Sequence, residues 1–252
     1  MKKCPLAAWA LALLGACLSC HAWALQVNAA VAANFSAPMK IIAQEFERDT
    51  GHQVLLSLGA TGQLYTQIRN GAPFAVLLAA DDETPQKLEA EGLAVPSTRF
   101  TYAQGKLVLW SANPALVDAQ GEVLRRAPFE KIAIANPKLA PYGAAAMETL
   151  ANLGLRERLL PKVVEGSNIT QTFQFVASEN AALGFVALSQ VFENGKIKSG
   201  SAWVVPAKLH APLKQDAVLL NPGKNNPAAA ALLSYLQGDK AKAVMRSFGY
   251  DF

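Results

Sequence analysis

Apolar and polar positions along this chain switch repeatedly between a helical and a strand period. Phe35, Met39, Ile42 and Phe46 recur at helical spacing and form one apolar face. Gly51 follows as the expected C-terminal stop. QVLLSL then reads as a strand, GQLYTQIRNGAP as a short helix ended by Gly71 and Pro73, and FAVLLAA as a buried parallel strand. The same reading predicts helices at TPQKLEAEG, GAAAMETLANLG, TQTFQFVAS, PAAAALLSYLQ and KAKAVMRSFG. It predicts strands at KLVLW, KIAIA, KVV, LGFVAL, AWVV and DAVLL. Alternation of this kind predicts an α/β architecture with mostly parallel sheets.

Two stretches fit a chain crossing between lobes, TRFTYAQGK (98–106) and VVPAKLHAPLK (204–214). Two crossings would make residues 106–205 an inserted lobe II. Residues 25–105 and 206–252 would then form lobe I, with a cleft between the lobes. Ligand sites favour such interfaces.

The N-terminus changes the composition that matters. Lys2 and Lys3, an apolar run over 5–16 and Ala22-Trp23-Ala24 together read as a secretory signal peptide over residues 1–24. The apolar run is shorter than the roughly 20 residues needed to span a bilayer. Leu14-Gly15-Ala16-Cys17 offers a rival cleavage that would leave a lipidated Cys17. Without residues 1–24, Cys4, Cys17 and Cys20 are gone, and Lys+Arg falls from 23 to 21 against 19 Asp+Glu. The mature charge is therefore near +2, and its one adjacent basic pair is Arg125-Arg126. That is not the electrostatic footprint of a nucleic-acid binder.

Catalytic signatures are scarce. No cysteine remains for a thiol nucleophile, and His52 and His210 both read as loop residues without a positioned partner. No G-x-S-x-G, H-E-x-x-H or Walker pattern occurs. Asp81 and Asp82 are expected to cap the following helix or grip a hinge rather than to act as an acid/base pair. Binding is the better expectation. Four junctions place small or hydroxylated residues where a strand or loop feeds a helix: Ala33-Asn34-Phe35-Ser36, Ala60-Thr61-Gly62, Pro141-Tyr142-Gly143 and Ser167-Asn168-Ile169-Thr170. Helix starts carry free N–H groups and partial positive charge, so they seat anions without lysine or arginine. Ordinary capping is the competing explanation, and Asn168 with Gln171 has the form of a capping box.

Five segments together resemble the periplasmic molybdate-binding proteins of ABC transporters. They are VAANFSAPMKIIAQEFERDTGHQV, SLGATGQLYTQIRNGAPFAVLLAAD, RFTYAQGKLVLWS, IAIANPKLAPYGAAAMETL and LGFVALSQV, in order along nearly the whole mature chain. The resemblance implies a two-lobed type II periplasmic-binding-protein fold that closes over molybdate or tungstate, with no cofactor and no metal ligation. It implies a periplasmic monomer that delivers its ligand to a membrane permease. Asn34 and Thr61 match the first-lobe positions of that family. Tyr142 and Ile169 match the second-lobe positions that supply backbone N–H groups, with Ala33 and Gly62 as additional candidates. Ala33 stands where a related branch carries threonine, Ala187 where another carries a strand tyrosine, and Ala75 where Asp or Asn is common. Other readings are a binder of sulfate or phosphate, or a sensor or enzyme on the same fold. The missing base and nucleophile argue against the enzyme, and the end of the chain soon after RSFGYDF argues against a signalling module.

Overall fold

The computed structural model describes residues 24–252, so the expected leader and its Cys17 lie outside the described residues, Ala24 excepted. In chain order the strands are β1 (Gln26–Ala32), β2 (Gln53–Gly59), β3 (Val76–Leu78), β4 (Phe100–Gly105), β5 (Leu107–Ser111), β6 (Ile132–Ala135), β7 (Val163–Gly166), β8 (Leu183–Ala187), β9 (Phe192–Glu193), β10 (Lys196–Ile197), β11 (Ser201–Val204) and β12 (Leu213–Leu219). The helices are α1 (Ser36–Thr50), α2 (Thr61–Arg69), α3 (Glu83–Ala90), α4 (Val123–Arg126), α5 (Pro141–Asn152), α6 (Arg156–Leu159), α7 (Ile169–Ala177), α8 (Leu188–Val191), α9 (Pro227–Gln237) and α10 (Asp239–Ser247). A 3-10 turn, Ala33–Phe35, links β1 to α1.

Two five-stranded sheets carry the molecule, ordered β2-β1-β3-β12-β4 and β11-β5-β8-β6-β7. Each contains two parallel and two antiparallel pairings, so parallel pairing makes up half of each sheet rather than most of it. The cause lies in the crossings. β5 enters the second sheet directly from β4, β12 returns to the first from β11, and each runs against both of its neighbours. The stretch around Tyr102, read from the sequence as a crossing, forms the edge strand β4. It is held to β12 by an ion pair of Arg99 Nη1 with Asp216 Oδ2 at 2.6 Å and by the Thr101 hydroxyl, which donates to Asp216 Oδ1 at 2.7 Å.

The α1 face forms as its periodicity predicts. Met39, Ile42 and Phe46 are fully buried against the first sheet, α9 and α10. Each contributes roughly 1.5–3 kcal/mol of burial. Gly51 ends the helix at φ +74°, in the left-handed region, with its N–H on the Glu47 carbonyl at 2.8 Å. On the other face of the sheet, Leu64 and Ile68 of α2 pack with Leu88 of α3. A third cluster surrounds the second sheet and extends to Ala32, Ala33, Ala60 and Ala80 of the first, so small apolar residues join the two halves.

Strand direction decides where the turns gather. β1, β2, β6 and β7 each deliver their C-terminal ends into a turn and then a helix, the end of an α/β sheet where ligands bind. α5 sits tightly against the end of β6, because a Cβ on Gly143 would overlap the Ala135 carbonyl. Gly143→Ala should therefore destabilise the fold by about 1–3 kcal/mol, the usual cost of overpacking. Urea denaturation of the two proteins measures this.

Candidate functional site

The four turns chosen from the sequence meet between the sheets. They line a small, partly open cavity of about 10 Å³, walled by Ala32, Ala33, Asn34, Gly59, Ala60, Thr61, Ala80, Ala140, Pro141, Tyr142 and Ile169. A cavity this small is no place for an extended organic solute. None of these residues carries a charge. A wider groove alongside is lined by Asp81, Asp82, Glu83 and Glu148 together with Lys138 and Lys214. Its mixed, carboxylate-rich wall suits an anion less well.

Counting donors at each helix start shows what the small cavity offers. At α2, Gln63 and Leu64 give their N–H groups to the Ala60 carbonyl, both at 3.0 Å, and Gly62 gives its own to Leu139 at 2.9 Å. That leaves the Thr61 N–H without a protein acceptor. At α5, Pro141 has no N–H, and Gly143 and Ala144 bond back to the Ala140 carbonyl at 2.9 and 3.1 Å, which leaves Tyr142. At α7, the Asn168 side chain accepts from Thr170 and Gln171, both at 3.0 Å, and the Asn168 carbonyl accepts from Thr172, which leaves Ile169. The N–H of Asn34, in the turn before α1, also has no protein acceptor. The Thr61 hydroxyl accepts from the Ala80 N–H at 3.0 Å, so its own proton is available to donate. The cavity thus gathers four backbone N–H groups and one O–H, each associated with the positive end of a helix or turn.

Two candidates behave differently from expectation. The carboxamide of Asn34 does not serve the cavity, since both Nδ2 hydrogens are committed, to Gln215 Oε1 at 2.9 Å and to the Tyr250 hydroxyl at 3.0 Å. Only its backbone N–H is left as a donor there. Gly62 lies outside the cavity wall, its N–H bridging to Leu139 across the gap between the halves. Ala33 does line the wall, but with a methyl group and no side-chain donor. Of the Asp81-Asp82 pair, Asp82 holds the N-cap position of α3 without a side-chain capping bond, while the Asp81 carboxylate accepts from the Thr84 N–H at 2.8 Å and from the Thr84 hydroxyl. Burial pushes the Asp81 pKa upward, against those bonds.

Sequence reading missed Gln215, Tyr250, Tyr102 and Ser189, which surround Asn34 from behind. The one signal available was a glutamine followed by an aspartate entering the apolar run of DAVLL. Burial raises the phenols of Tyr102 and Tyr142 well above their usual range and that of Tyr250 to about 12. This cluster is therefore neutral at ordinary pH.

Comparison with known proteins agrees in extent and in fold. The chain is 60% identical over 92% of its length to the molybdate-binding protein ModA of Azotobacter vinelandii, of which it covers 92%. It is 52% identical over 92% of its length to that of Rhodobacter capsulatus, of which it covers 91%. A solved periplasmic molybdate-binding protein from Azotobacter vinelandii superposes with a TM-score of 0.87 at 42% identity, over 90% of this chain and 99% of that one. The sulfate-binding protein SubI of Mycobacterium tuberculosis, at 11% identity and a TM-score of 0.70, over 90% of this chain and 86% of that one, shares the fold. With the family model for bacterial extracellular solute-binding proteins matching residues 27–251 as well, this chain belongs to that family.

Proposed function

We propose that this protein captures molybdate or tungstate outside the cytoplasm and delivers it to the membrane permease of an ABC importer. The observation that carries the reading is the ring of four N–H groups and one hydroxyl on a small cavity with no charged side chain. The names of the relatives at 60% and 52% identity support it. In this reading residues 25–105 and 206–252 form one lobe and 106–205 the other. The donors are the backbone N–H groups of Asn34, Thr61, Tyr142 and Ile169 and the Thr61 hydroxyl. The protein works by binding and release rather than by catalysis, as a monomer exported to the periplasm by the leader at residues 1–24.

A wall of donors without acceptors sets selectivity. A fully deprotonated dianion finds a donor for each oxygen. Phosphate keeps a proton near neutral pH, and that proton would face donors only, leaving a buried polar contact unmatched. Sulfate has no such proton and is discriminated by size, being smaller than molybdate. Molybdate and tungstate match in charge and shape, so one seat serves both.

Isothermal titration of residues 25–252 tests the reading. One tight site for molybdate and tungstate is expected, with sulfate weak and phosphate silent. Displacement of molybdate by phosphate at comparable concentration would refute the donor-only account. Thr61→Ala removes a side-chain donor and should cost about 1.5–3 kcal/mol of affinity, the scale of a hydrogen bond to a charged group. Unchanged affinity would take that hydroxyl out of the site. Affinity should also stay flat from about pH 7 to about pH 9, because the one titratable group on the wall, the Tyr142 phenol, stays protonated below its raised pKa. Titrations across that range check this.

A further inference from the structure

We infer that Gln215 is a positioning residue for the anion seat, holding one donor from each side of the cavity in place through its buried carboxamide. The inference rests on the anion reading above. Gln215 has no exposed surface, and both ends of its side chain are engaged. Its Oε1 accepts from Asn34 Nδ2 at 2.9 Å and from the Tyr102 hydroxyl at 3.0 Å, while its Nε2 donates to the Tyr142 hydroxyl at 3.1 Å. Asn34 belongs to the turn after β1 in the first sheet, and Tyr142 to the first turn of α5 against the second. One side chain thus links two of the four residues whose backbone N–H groups reach the cavity, one from each half.

Three further features point the same way. The pairing of β12 with β4 shifts register between Gln215 and Asp216, so Gln215 faces Ala103, Asp216 faces Thr101, and Tyr102 is left over. A bulge of this kind re-aims side chains, and such bulges concentrate beside functional sites. Here it lets Gln215 meet Asn34 while the adjacent Asp216 pairs with Arg99. The second feature is Gly105, where a Cβ would overlap the Tyr142 hydroxyl and Gln215 Nε2, so that hydrogen bond exists only because position 105 has no side chain. The third is Tyr250, which accepts from Asn34 Nδ2 and lies 3.0 Å from the Asn34 carbonyl. Ser189, from beyond the first crossing, donates to the same carbonyl at 2.8 Å. Asn34 is therefore gripped at its side chain and at its carbonyl, which leaves its N–H as the free group. A residue fixed at so many points cannot rotate its amide into the cavity, where the carboxamide oxygen would repel an anion.

The test measures molybdate and sulfate affinities by titration, and the melting temperature without ligand, for the wild type, Gln215→Met, Tyr142→Phe and the double variant. Gln215→Met keeps side-chain length and removes all three bonds. It should weaken molybdate binding by about 10–100-fold, the scale for partners that orient the ligands of an ion site. It should also narrow the molybdate-to-sulfate ratio, because misaligned donors no longer measure the size of the tetrahedron. General destabilisation would weaken both anions together and leave that ratio unchanged. Tyr142→Phe keeps the backbone N–H and removes only the hydroxyl, so its effect should overlap with that of Gln215→Met and the double variant should lose less than the sum. Should Gln215→Met fail to fold, Tyr250→Phe asks the same question, with roughly tenfold weaker binding and a narrowed ratio expected. Wild-type affinity and selectivity in a folded Gln215→Met or Tyr250→Phe protein, or strict additivity in the double variant, would overturn the inference while leaving the proposed function standing. Failure of the wild type to bind molybdate or tungstate would instead refute the anion reading itself.

Discussion

Every helix starts with backbone N–H groups that it cannot satisfy from within, and the organisation of this molecule follows from where four of those groups end up. At α5 and α7 local bonding, and at α2 local bonding together with the contact of Gly62 to Leu139, consumes all but one amide of the first turn. The amides left over belong to Thr61, Tyr142 and Ile169, and with that of Asn34 they lie on one cavity. A buried N–H without a partner costs free energy. A tetrahedral dianion would supply that partner at each of the four, with charge-assisted bonds worth about 1.5–3 kcal/mol apiece. No lysine or arginine is needed, and alanines make up much of the wall around the donors.

The architecture serves this arrangement through strand direction. β1, β2, β6 and β7 all end toward the gap between the sheets, so the turns that follow them face one another. The two crossings reverse one strand in each sheet, and on the reversed β12 lie Gln215 and Asp216. Gln215 ties the turn of Asn34 to the helix of Tyr142, while Asp216 anchors the edge strand β4 through Arg99. The phenols in this cluster are neutral at ordinary pH, the more firmly because burial raises their pKa values, so the cluster places no charge behind the cavity.

Much of this is legible in the sequence. The spacing of Met39, Ile42 and Phe46 set the face of α1, and Gly51 set its end. Both are properties of a single helix and its stop, so local sequence carries them. The helix starts were legible for the same reason: Pro141 lacks an N–H wherever it is placed, and Asn168 caps residues only two and three positions further on. β4 was not legible as a strand, because its partner β12 lies more than a hundred residues away and its own pattern is that of a polar connector. The reversal of β5 and β12 was hidden likewise, since a strand's residues do not record the direction of its neighbours.

Sequence by itself determined the alternating elements, the likeness to a family of anion binders and the four junctions where free amides would arise. Rules that reach one helical turn are sufficient for these. Tertiary structure alone decided that the four junctions share a cavity, that Gly62 bridges the halves instead of lining it, and that the carboxamide of Asn34 faces away. That last outcome turns on Gln215 and Tyr250, separated from Asn34 by 181 and 216 residues. A side-chain amide bonds to whatever folding brings within about 3 Å of it, and which groups those are is known only once the whole chain has closed around it.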